Sequence, residues 1–226
     1  MATQLDLQEQ EQLDALKAFW KQYGNLITWA LVAAMLVYAG INGWQWWQRE
    51  QSAKAGAMFD ELDRAAQAGD PEKIARVFAD IKDRYPRTAY AQQAGLLTAK
   101  VQYEKGKTDE SRAVLTWVVE NAIDDEYRAL ARLRLAGVLL DAKEYDEALK
   151  QLDPVAQGPF AALAADRRGD ILQAQGKTAE AKAAYQQAWK AMDEKVEYRR
   201  LVDAKLTALG ASPTGAAASA APGAGK

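Results

Sequence analysis

Two acidic pairs are the places where this sequence could do chemistry: Asp124 with Asp125, and Asp166 with Asp170 one helical turn apart. Paired carboxylates can divide general acid and general base work when their surroundings separate their pKa values. The rest of a catalytic apparatus is missing. The chain has no histidine, which removes the commonest general base and a leading metal ligand. It has no cysteine either, which removes thiol, disulfide and cysteine–zinc chemistry. Nor does it contain a Gly-rich phosphate loop or a nucleophile motif. The pairs read as solvated or helix-capping charges, and the expectation is no enzyme: no catalytic residues, no metal, no cofactor. A formal net charge of −2, with no basic stripe, also argues against nucleic acid as a partner. The lack of cysteine is compatible with an oxidising compartment without requiring one.

The element that places everything else is the stretch Leu26 to Gly43, LITWALVAAMLVYAGING. No Asp, Glu, Lys or Arg occurs between Lys21 and Arg49. As a helix these residues rise about 27 Å at roughly 1.5 Å each, close to the thickness of a hydrocarbon core. Aromatic rings bracket the stretch, with Trp20 and Tyr23 before it and Trp44, Trp46 and Trp47 after it. These five are the expected membrane-interface anchors, since rings with a polar tip settle at headgroup depth and contact lipid there. A buried core helix fits less well, because soluble helices rarely run so long without a polar face. A cleaved signal peptide also fits less well: Asp6, Glu9, Glu11 and Asp14 precede the apolar run, and WQWWQRE follows it where small residues should stand. The reading is one retained transmembrane helix, 25–48, behind an acidic lead-in, 1–24. That lead-in is either an amphipathic surface helix, through Leu13, Leu16, Phe19, Trp20 and Tyr23, or a frayed anchor without a role of its own. Ala30 with Ala34 and Ala39 with Gly43 form small-xxx-small pairs that permit close approach of another helix. Flanking charge does not set the orientation, since Lys17 and Lys21 face Arg49, Lys54 and Arg64 across the span.

From there to residue 209 the pattern is helical and it repeats. Helix breaks centre on Gly69, Gly106, Lys143 and Gly176, at spacings of 37, 37 and 33 residues. A period near 34 built from two short helices marks tetratricopeptide-type repeats. The copy with Gly169, Gly176, Ala181, Tyr185 and Ala188 matches the motif's small and aromatic positions best. Another places Ala136, Leu139, Tyr145, Ala148 and Leu152 there. The copy before it carries Ser111 where Ala is usual and Ala99 in place of Gly, and the first keeps only Phe78 and Pro86. Tyr198, Leu201, Val202, Leu206 and Leu209 outline a capping helix. The fold class expected is all-α: a single transmembrane helix, then a tetratricopeptide-like α-solenoid of about four helix pairs plus a cap over 49–209. Residues 210–226 form an Ala/Gly/Pro tail with the composition of a disordered segment. The first helix of each pair should line a concave face, putting Leu96, Tyr103, Leu130, Leu133, Leu140 and Leu163 toward a partner-binding groove. The alternative is that these leucines pack the core between neighbouring pairs.

The acidic lead-in with LDALKAFWKQYGN, the span ending in WQWW, and the stretches LARLRLAGVLL and FAALAADRRGDILQAQGKTAEAKAAYQQAW together resemble the YfgM-type proteins. These are ancillary subunits of the bacterial SecYEG translocon. The resemblance implies an inner-membrane anchor with a cytoplasmic N-terminus and periplasmic repeats. It also implies contact with SecYEG, with a PpiD-like periplasmic chaperone and with translocating polypeptide clients. It offers no catalytic residue to carry over. The competing function is a tethered scaffold of the same build serving cell division or cell-wall assembly.

Overall fold

The computed structural model describes residues 7–211. The expected Ala/Gly/Pro tail, apart from its first two residues, lies outside the described residues, as does the start of the acidic lead-in. All regular structure among the described residues is helical, and the chain divides into two compact units, one ending at Gln51 and the other beginning at Ser52.

The first unit is built from helix α1, Leu7–Ala68, whose remainder belongs to the second unit. This is the helix among the described residues that is long and apolar enough to cross a membrane. Its apolar side chains are exposed, among them Leu31, Met35, Leu36, Val37 and Ile41. Such a surface has no favourable place in water. The two polar side chains of the stretch turn back onto their own helix. Thr28 Oγ1 donates to the Gly24 carbonyl and Asn42 Nδ2 to the Tyr38 carbonyl, both at 2.8 Å, which satisfies the Thr28 hydroxyl and one N–H of the Asn42 amide within the helix. Trp20, Tyr23, Trp44, Trp46 and Trp47 are all exposed. Trp20 and Trp44 lie 24 positions apart, about 36 Å at roughly 1.5 Å per residue, a separation comparable to the thickness of a bilayer's hydrocarbon core.

The second unit stacks helix pairs. The end of α1 pairs with α2 (Pro71–Arg84), α3 (Ala89–Glu104) with α4 (Thr108–Asn121), α5 (Asp125–Asp141) with α6 (Tyr145–Leu152), and α7 (Ala161–Ala174) with α8 (Thr178–Ala191); α9 (Tyr198–Ala208) follows. The turns inside the pairs fall on the four expected positions. Gly69, Gly106, Lys143 and Gly176 have φ of 66°, 75°, 62° and 77°, the left-handed conformation that reverses the chain after a helix. Lys143 adopts it against the steric preference of a side chain.

Small residues sit where two helices of a pair cross. A Cβ on Gly169 would lie 2.4 Å from the Tyr185 ring, and Ala181 and Ala188 are fully buried beside it. In the α3–α4 pair the tightest crossing is at Gly95, where a Cβ would come within 2.4 Å of Val118 Cγ2. Ser111 is accommodated there because its hydroxyl donates to the Ala99 carbonyl at 2.8 Å inside the pair. The first pair solves the crossing with bulk instead, burying Leu62, Ile74, Phe78 and Ile81 in one cluster. Helix α6 is short because Pro154 lies in the 3-10 turn Asp153–Val155, removing a backbone donor that a longer helix would need. The core is three clusters along the stack, centred on the first pair, on α3 to α7, and on α7 to α9. Val202 and Leu206 close the last one, while Leu201 faces solvent.

Candidate partner-binding groove

A groove of about 370 Å³ opens where the C-terminal halves of α3 and α5 meet α7. Lys100 and Tyr103 come from α3, Arg134, Gly137 and Asp141 from α5, and Arg167 from α7. These positions follow helical spacing, so each helix presents one narrow stripe to the opening. Arg134 reaches across to α3 and donates to the Leu96 carbonyl at 3.0 Å. Partial loss of water there holds its guanidinium below the ordinary arginine range. Arg167 lies over Gly137, where an added Cβ would sit 3.7 Å from its guanidinium carbon, an ordinary contact. Tyr103 donates its hydroxyl to Asp141 on the neighbouring pair. That bond, then partial burial, raises the Tyr103 phenol above its usual pKa. The arrangement presents three cations, and the carboxylate among them is already engaged by Tyr103.

Two leucines expected in the groove are in the core instead. Leu96 and Leu133 are only 5% and 8% exposed within the central cluster. The first helix of a pair is covered by its own partner helix and by the next pair, so most of its apolar spacing is spent inside the stack. Leu130 and Leu140 are half-buried against the same cluster. Tyr103 and Leu163 are exposed, and Tyr103 is the expected site residue that lines the groove. Arg134, Gly137 and Arg167 were missed by a reading tuned to apolar side chains.

The acidic pairs divide. Asp124 sits at the start of α5, where its backbone N–H donates to Gln92 Oε1 and its carboxylate accepts from Gln92 Nε2, each at 3.1 Å. Asp125 pairs with Arg128 in the first turn. These two are helix-start charges, as expected. Asp166 is not a solvated charge: it is 2% exposed and accepts from Tyr198 Oη at 2.8 Å and from Lys205 Nζ at 2.8 and 2.9 Å. Asp170 accepts from the same Lys205 at 2.6 Å and from Tyr185 Oη at 2.8 Å. This network joins α7, α8 and α9. Burial first, then hydrogen bonds to the two carboxylates, push the Tyr185 and Tyr198 phenols well above their usual pKa.

A family model, the tetratricopeptide repeat-like domain, matches residues 17–211. That range takes in the apolar helix as well as the helix pairs. The ancillary SecYEG translocon subunit of Neisseria gonorrhoeae is 34% identical over 204 residues, spanning 90% of this chain and 98% of that protein. The chain belongs to the ancillary SecYEG translocon subunit family. The Haemophilus influenzae relative of the same name is 32% identical over 80% of this chain and 89% of its own length, and that of Escherichia coli 28% over 79% and 85%. Among solved structures, the tetratricopeptide-like repeats of a putative kinesin light chain from Podosopora anserina superpose with a TM-score of 0.55 at 16% identity, over 70% of this chain and 85% of that one. A MamA double mutant gives 0.51 at 18%, over 70% and 89%. At such identities the likeness establishes the repeat fold of this family member and nothing about its partners.

Proposed function

We propose that this protein is a non-enzymatic, membrane-tethered adaptor of the SecYEG translocon. Its N-terminus is cytoplasmic, α1 crosses the inner membrane once, and its helix pairs lie in the periplasm. There they receive emerging polypeptides and hand them to a membrane-anchored chaperone of the PpiD type. The observation that carries this reading is the likeness to proteins named for the translocon, which runs through the apolar helix and the repeats alike. An anchor with aromatic rings at both ends of its apolar stretch keeps the repeats near the exit of a membrane channel. A stack of helix pairs offers an extended surface rather than a closed pocket, which suits unfolded chains.

Co-purification of the full chain from solubilised membranes tests the role. SecYEG subunits and a PpiD-like chaperone should be recovered with it. Division or wall-synthesis proteins in their place would make it a scaffold for another process. Protease added to spheroplasts tests the orientation: the repeats should be digested from outside, and their protection until lysis would reverse the topology.

A further inference from the structure

We propose that the groove between α3, α5 and α7 binds an acidic segment of an extended polypeptide, with Arg134 and Arg167 each taking a carboxylate side chain. This rests on the reading that the repeats receive polypeptides, and it names which segments they prefer.

Of the three cations of the groove, Lys100 is paired with Glu104 on its own helix at 3.8 Å, which leaves the two arginines. Arg134 makes a hydrogen bond to the Leu96 carbonyl and pairs with no carboxylate among the described residues, although it has given up part of its water. A partly dehydrated guanidinium gains from an incoming carboxylate, which its planar fork binds through two parallel hydrogen bonds. Arg167 has Asp170 at 3.6 Å, but that carboxylate is already shared by Lys205 at 2.6 Å and the Tyr185 hydroxyl at 2.8 Å. Asp141 accepts from the neutral Tyr103 hydroxyl and keeps its charge, so the lining carries three cations to one carboxylate.

Gly137 is an independent sign. A glycine inside a helix is destabilising relative to alanine unless something needs the space. At Gly95 and Gly169 a neighbouring side chain does, at 2.4 Å; at Gly137 the nearest atoms to an added Cβ are those of Arg167, at 3.7–3.9 Å. The fold therefore does not require it. Its effect is to leave the groove floor open beside Arg167. Leu115 and Val138 complete that floor with apolar atoms suited to the methylene stems of glutamate. A groove of about 370 Å³ takes a few residues of extended chain, not a folded partner.

The test uses the full chain in detergent or nanodiscs and fluorescent heptapeptides, acetylated and amidated so that no terminal carboxylate competes. One carries Glu at alternate positions and its counterpart carries Gln. The Glu peptide should bind, weaken with salt, and bind about tenfold more weakly to Arg134→Gln or Arg167→Gln, with the double variant near background. Lys190→Gln, on the exposed end of α8, should bind as the unmodified protein does. Equal binding of the Glu and Gln peptides overturns the proposal. So does unchanged affinity in the double variant, or displacement by inorganic phosphate at the peptide's own concentration. Loss of binding with an unchanged thermal melt supports it, because the Gln peptide and the melt together exclude simple unfolding. Co-purification of SecYEG is read in parallel. Retention by the double variant separates groove from translocon docking and sustains both readings. Glu-peptide binding by a protein that recovers no SecYEG sustains the groove and sinks the translocon role.

Discussion

Replacing Lys205 by methionine should destabilise the C-terminal end of the stack more than any other single surface-side change. Lys205 is the cation of a buried network: its ammonium donates to both oxygens of Asp166 at 2.8 and 2.9 Å and to Asp170 at 2.6 Å. The Asp166 side chain is 3% exposed, so without Lys205 its charge stays buried with only the Tyr198 hydroxyl as donor. Stranding a buried charge by removing its partner costs about 3–5 kcal/mol. Lys205 itself is 21% exposed, and water entering there recovers part of that, which brings the expected loss to roughly 2–4 kcal/mol. For a domain of this size, 1 kcal/mol moves the melting temperature by about 2–4 °C, so the variant should melt roughly 5–15 °C lower by circular dichroism. Asp166→Asn keeps an acceptor for Tyr198 while removing the charge. Combined with Lys205→Met it should therefore cost less than Lys205→Met alone, a positive coupling in a double-mutant cycle. A single variant that melts with the unmodified protein, or a double variant that melts lower than the single, would refute the buried-charge account.

Two glycines should respond oppositely to alanine. Gly169→Ala forces a methyl into the Tyr185 ring and should cost about 1–3 kcal/mol, whereas Gly137→Ala meets only ordinary contacts and should gain roughly 0.5–1 kcal/mol, both read from thermal melts. The stack should also have an alkaline limit set by Tyr185 and Tyr198. Their folded pKa values lie above the unfolded one of about 10, so their contribution is complete below pH 10 and is lost as the pH rises through the folded values. In an absorbance titration the two phenols should ionise together with unfolding; phenolate appearing at pH 10 with the helices intact would contradict the hold of Asp166 and Asp170 on the two hydroxyls.

The turns were legible in the sequence because a left-handed residue after a helix is a demand few side chains meet. Gly69, Gly106 and Gly176 announce themselves by type; Lys143 does not, and only the period of the repeat finds it. The crossing of Gly169 with Tyr185 was likewise readable, since a small residue facing an aromatic one is what close helix approach selects. The first pair escaped because Leu62 and Ile74 fill with bulk the places that other pairs leave small. Of the residues that apolar periodicity placed toward the groove, Tyr103 lines it while Leu96 and Leu133 are buried in the core. Leu96 and Leu133 recur at helical spacing because α3 and α5 are each covered on two sides. The stripe left open is the one carrying Arg134, Gly137 and Asp141, at three- and four-residue steps, with Lys100 and Tyr103 opposite on α3. A helical wheel searched for what the leucines avoid would have found it.

Asp166 was misread for a reason that also explains how the groove is held. Its partners stand 32 and 39 residues further along, near one repeat length away. The same holds for Gln92 with Asp124 at 32, Arg112 with Glu144 at 32, Gln93 with Tyr127 at 34, and Tyr103 with Asp141 and Arg134 with the Leu96 carbonyl at 38. Polar side chains that look solvated within one helix pair are thus the ties between neighbouring pairs. In a quasi-one-dimensional stack such nearest-neighbour contacts carry much of the stability and fix the register. The groove inherits that register. Arg134 is set by its bond to α3, and Arg167 lies over Gly137 on α5, so the two guanidinia converge only when three consecutive pairs are docked. A peptide bridging them would bind the docked stack and not separated pairs. By linkage it should slow hydrogen exchange across α3, α5 and α7 together, rather than at the helix it touches first.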